Sequence, residues 1–167
     1  MTLPKITTPT YELSLPSTDE KVKFRPFLVK EEKILLIAIE NDKSEEMLSA
    51  IKQIIKNCTF NKINVETLPL FDLEYVFLQL RAKSIGEISK FRILCPDDKK
   101  TYANVEIDLT KVVVEVDEGH DNRIIIDDKK QVGIVLSYPS VALFKTANLI
   151  GNDVNDVFKL IVQCVDH

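Results

Sequence analysis

Glycine is scarce in this sequence, four in 167 residues, and the four stand apart at positions 86, 119, 133 and 151. That spacing leaves no glycine-rich loop to cradle a phosphate and no G-x-S-x-G elbow to present a nucleophile. Histidine is scarcer still, with His120 in a polar loop and His167 at the last position. A lone mid-chain imidazole beside carboxylates lacks the second ligand or base that metal or acid–base chemistry needs, so His120 reads as an exposed loop residue. Cys58, Cys95 and Cys164 are odd in number and far apart. With no basic-plus-apolar leader ahead of them, they do not form a disulfide framework, and the acceptor motif at Asn57 is set aside for the same reason. Cys95-Pro96 opens a polar turn like half of a zinc knuckle, but Asp98 stands where the partner thiolate would be. Neither a metal nor a cofactor is expected.

Surplus positive charge is also missing. The net charge is −4, with acids and bases interspersed, so there is no basic face for nucleic acid. No apolar run approaches the ~20 residues that cross a bilayer. These absences lead us to expect a protein of the cytoplasm or of a large soluble assembly, with neither membrane nor nucleic acid as partner. The acid pairs Glu31-Glu32, Asp97-Asp98 and Asp127-Asp128 fall at a helix start and in turns. There they read as capping or solvated groups, and nothing in the sequence supports an enzyme.

What the chain does have is 45% hydrophobic and 29% charged residues, the balance of an ordinary globular domain. It is organised around 69–86, PLFDLEYVFLQLRAKSIG. Leu70, Leu73, Val76, Phe77, Leu80 and Ile85 recur at helical spacing, and Phe71, Tyr75 and Leu78 widen the stripe enough for burial on more than one side. Pro69 suits a first turn, Gly86 a left-handed stop, and Arg81 and Lys83 the negative end of the helix dipole.

Residues 1–10 read as an extended arm. Apolar residues then alternate at Tyr11, Leu13 and Leu15, and again at Val22 and Phe24 beyond a polar turn, which predicts a hairpin with one buried face. The run at 34–39 is unbroken and apolar, but Glu31 and Glu32 ahead of it favour a helix over 30–41. A second helix, 43–58, has Asp42 as its expected cap with Glu45 three residues on, and Met47, Leu48, Ile51, Ile54, Ile55 and Cys58 as its stripe. After Gly86 the period changes to two. Phe91, Ile93 and Cys95 then Val105, Ile107 and Leu109 predict a second hairpin, with Cys95 facing inward. A phase slip at 110–111 predicts a bulge or bend before a further apolar set at Val112, Val114 and Val116. Residues 123–127 and 132–138 form another strand pair, and Pro139 opens a short helix that stops at Gly151.

The last segment is an amphipathic helix capped by Asp153, with Val154, Val157, Phe158, Ile161, Val162 and Val165 as its apolar stripe. Such a stripe must be covered by the chain's own core or by another chain, and these six are the candidate partner surface. The helix meets His167 without a stop signal, from which we expect a natural chain that extends further. The fold expected is a single α+β domain over 1–167. Antiparallel hairpins or a sheet (1–29 and 87–140 mainly β) pack with a helical part (30–86) and C-terminal helices (141–167).

Three stretches carry a resemblance: the opening LPKI…PTYELSLPST, FRPFLVKEEKILLIAIE at 24–40, and LPLFDLEYVFLQLRAKSIGE at 68–87. Together with the Cys95-Pro96 turn and VEIDL at 105–109, they resemble the baseplate hub proteins of T4-like contractile-tailed bacteriophages, whose members run further at the C-terminus. The resemblance implies a non-enzymatic hub subunit or hub assembly factor. It would bind other hub or tail proteins, or a second copy of itself, in the host cytoplasm during assembly or in the virion tail baseplate. The alternative is a chaperone for the tape-measure protein, absent from the finished particle.

Overall fold

The computed structural model of the chain describes residues 8–127, 129, 132–146 and 154–166. β1 (Tyr11–Ser14) and β2 (Lys21–Phe24) pair antiparallel, Tyr11 opposite Phe24 and Leu13 opposite Val22. Leu13, Leu15, Val22 and Phe24 are buried, so the period-2 pattern has one inward face as expected. Helices α1 (Val29–Asn41), α2 (Ser44–Cys58) and α3 (Leu70–Ser84) follow. Ile54, Ile55 and Cys58 of α2 meet Leu73, Val76 and Leu80 of α3 under the hairpin, and this is the core. Each side chain fully withdrawn from water there contributes about 1.5–3 kcal/mol.

Buried polar ties fix how these elements meet. Asp72, fully buried in the first turn of α3, accepts bonds from the backbone N–H (3.1 Å) and the hydroxyl of Ser17, which docks the β1–β2 turn on the helix start. Arg25 grips Glu31 with both guanidinium nitrogens, at 3.3 and 3.1 Å, and Glu31 also accepts the Leu28 N–H at 2.9 Å. Burial pushes the Glu31 carboxyl up, but the Arg25 and Leu28 bonds and the Arg25 and Lys30 charges outweigh it and hold the group below its ordinary value. Beside them, burial pushes the Cys58 thiol up to about 11. One of the two acids read as capping at this helix start is therefore also half of an internal ion pair.

The α1 apolar run is a helix, and its geometry decides its exposure. Successive residues rotate by ~100°, so Ala38 is buried while Leu36, Ile37 and Ile39 face out. Asp42 does not cap α2. It closes α1 in the left-handed conformation (φ 50°, ψ 32°), and α2 starts from Lys43 without a side-chain cap bond.

Beyond α3 the β elements are β3 (Ile88–Leu94), β4 (Tyr102–Asp108), β5 (Arg123–Asp127) and β6 (Val132–Val135). Among the described residues these strands and β1–β2 form three separate two-stranded antiparallel sheets and not one continuous sheet. The phase slip is a 3₁₀ turn at Leu109–Lys111, after which Val112 is extended (φ −75°, ψ 120°) and 112–117 pairs with no strand among the described residues. Cys95, expected to face inward, is half-buried at the tip of β3–β4. Gly133 is required by packing, since a Cβ there would stand 2.8 Å from the Ile124 carbonyl oxygen. Helix α4 (Val141–Thr146) is the described part of the helix expected to stop at Gly151. That stop, the Asp153 cap and the arm before Thr8 lie outside the described residues. Helix α5 (Val154–Gln163) closes the order.

The second half meets the first at few points. Arg81 donates to Ser89 Oγ at 2.6 Å, Leu109 is buried, and the fully buried Val141 donates its N–H to the Leu68 carbonyl at 2.9 Å.

Candidate protein-binding surface

α5 is moored at its C-terminal end. The Cys164 carbonyl accepts the Ser137 N–H at 2.7 Å, and Asp166 N–H donates to the Val135 carbonyl at 2.9 Å. Its inward side is Asp156, Leu160 and Cys164, spaced four apart, the first two half-buried and the last buried. The stripe read from the sequence turns the other way. Val154, Phe158 and Val162 are 66, 62 and 64% exposed, and Val157 and Ile161 are only slightly better covered. Val165 lies past the end of the helix, half-buried and bridged to Leu136, so it belongs to the mooring. Leu160, which the sequence reading left out, is the residue that faces in. Its i, i+4 relation to the buried Cys164 is the signal that could have found it.

Exposed apolar side chains are not confined to α5. β3–β4 bears Phe91, Ile93 and Ile107 on one uncovered face, β5–β6 exposes Ile124, Ile125 and Ile126, and α1 exposes Leu36, Ile37 and Ile39.

Among the described residues, no three His, Cys, Asp or Glu side chains gather as a metal ion would need. His120 stacks on Tyr138 with rings 5.9 Å apart and shares a 2.8 Å bond between its Nε2 and the Tyr138 hydroxyl, while Phe71 meets Tyr138 edge-on. The imidazole is thus exposed, as read, but tied to an aromatic pair beside an open cleft of about 610 Å³ that Leu160, Ile161 and Cys164 also line. A second cleft of about 760 Å³, between β1–β2 and 60–69, mixes Leu15, Val22 and Phe60 with Lys21, Lys23 and Lys62. No described helix is long and apolar enough to cross a membrane.

A family model described as T4 bacteriophage base plate protein matches residues 8–167. Neither a curated protein nor a solved structure matches the chain.

Proposed function

The chain belongs to the T4 bacteriophage base plate protein family, and from that premise we propose that it acts at the baseplate hub, as a subunit or an assembly factor, by binding other hub or tail proteins. The observation that carries the reading is the unburied stripe of α5. An amphipathic helix held at one end, with its apolar face outward, suits helix-in-groove contact. Valine, phenylalanine and isoleucine would bury in the partner's groove, and Lys159 and Gln163 would stay at the rim.

The test replaces Phe158 and Ile161 together by Asp. The double variant should fold, with its cooperative melt retained, and should fail to support hub assembly in infected cells. Unchanged assembly, or global unfolding, overturns α5 as the binding face. Mass spectrometry of purified tails then separates the roles. Presence in the tail supports a hub subunit, and absence an assembly factor. Absence together with a complex holding the tape-measure protein replaces the hub reading with the chaperone.

A further inference from the structure

Two stretches have backbone polar groups with no backbone partner among the described residues, and their side-chain patterns are complementary. One is the outer edge of β3. Cys95 N–H donates to the Thr101 carbonyl and Leu109 N–H to the Glu87 carbonyl, both at 2.8 Å, which sets the odd-numbered residues of β3 facing β4. Antiparallel alternation therefore aims the N–H and C=O groups of Ile88, Lys90, Arg92 and Leu94 away from β4, as an open edge. The other stretch is 112–117, VVVEVD. After the bond from Val112 N–H to the Leu109 carbonyl, no backbone bond among the described residues reaches 113–116, and Val113 and Val116 are 66 and 59% exposed. Valine-rich backbone of this kind is strand-forming sequence without a sheet.

β3 carries Phe91 and Ile93 on one face and Lys90 and Arg92 on the other. In extended form, 112–117 carries Val112, Val114 and Val116 on one face and Glu115 and Asp117 on the other. Laid antiparallel with Val113 opposite Leu94, Val114 falls opposite Ile93, Glu115 opposite Arg92, Val116 opposite Phe91 and Asp117 opposite Lys90. Apolar meets apolar and acid meets base at every position. A slip of one residue would set the two acids against Ile93 and Phe91 in one direction and against Phe91 and Ser89 in the other.

A single chain cannot close this pairing. Asp108 stands opposite Ile88 at the base of the hairpin, and Leu94 lies about 20 Å further along β3 at the usual strand rise. The route from Asp108 to Val113 passes through the 3₁₀ turn at Leu109–Lys111 and spans only about 13 Å.

We propose that 112–117 of one copy adds as a third strand to the outer edge of β3 in a second copy, so that the chain self-associates by strand addition. Lys90, already 2.7 Å from Glu106, would then lie between two carboxylates, and Arg92 between the Tyr102 ring, 4.9 Å away, and Glu115. Strand addition of this kind needs neither the α5 face nor a role in the hub.

The experiment follows mass against concentration by analytical ultracentrifugation of the full chain. Three variants are compared with the wild type: E115K/D117K, K90E/R92E, and all four substitutions in one chain. The wild type should associate reversibly. Each double variant alone should need roughly tenfold or more higher concentration, since like charges then face each other. The 1:1 mixture of the two doubles, and the fourfold variant, should recover association, which also shows that the substituted chains are folded. A wild type monomeric at every concentration overturns the proposal, as do doubles that associate like the wild type or a mixture and fourfold variant that stay monomeric.

Discussion

At the scale of single residues, the fold depends most on the Arg25–Glu31 pair. Removing one partner from a buried ion pair leaves the other charge without compensation, at about 3–5 kcal/mol, a large share of the ~5–15 kcal/mol that holds a domain folded. Glu31→Gln should therefore lower the urea midpoint at neutral pH without changing the slope. The acid dependence follows from the sign of the shift. The folded carboxyl sits below its ordinary value of 4.5, so the unfolded chain takes up the proton first as pH falls. This part of the stability is complete above about 4.5 and is lost as pH drops through the lower folded value. The Gln variant should show a flatter decline over that window, and equal acid sensitivity in both proteins would contradict the pairing. The sequence marked Glu31 as a helix-start acid, but not its partner. Arg25 looked like one polar position in an alternating strand, and only the closure of β2 against α1 and α2 turns it inward.

At the scale of elements, legibility depended on whether an element's apolar face is covered by its own chain. The β1–β2 hairpin and α3 have periodic faces buried on each other, and pattern reading placed them closely. β3–β4 has the same alternation, yet Phe91 and Ile93 stay in solvent, because alternation shows that a face is apolar and not what will lie on it. The same reason left 112–117 without a sheet and the α5 stripe outward. β3–β4 is held instead at its turn, where Asp98 accepts the Lys100 and Thr101 N–H groups, both at 3.0 Å, and the Thr101 hydroxyl. The Thr101 hydroxyl first, and then the two N–H groups, hold the carboxyl down at about 2. Its support is therefore full above the ordinary 3.8 and lost as pH falls through about 2. Asp98→Ala should speed amide exchange along β3–β4 at neutral pH and remove that acid step, leaving β1–β2 protected. Uniform exchange rates in the two proteins would show that the turn does not hold the hairpin.

At the scale of the whole molecule, burial and exposure divide the chain between a body and its outlying elements, and substitution should follow that division. Leu73→Asp places a charge in the apolar core at the buried centre of α3, a cost of several kcal/mol. No cooperative melt should survive it, whereas one that persists near the wild-type temperature would refute the assignment of the core. The division also has an order in time. Every core residue except Val141 precedes or includes Leu80, while the exposed hairpins, 112–117 and α5 all come later in the chain. A ribosome adding 5–20 residues per second needs roughly 4–15 s to pass from Leu80 to Val154. The body, α1 with its exposed Leu36, Ile37 and Ile39 included, can thus close on the nascent chain before α5 leaves the exit tunnel, so that the last of these adhesive surfaces emerges tethered to a folded neighbour.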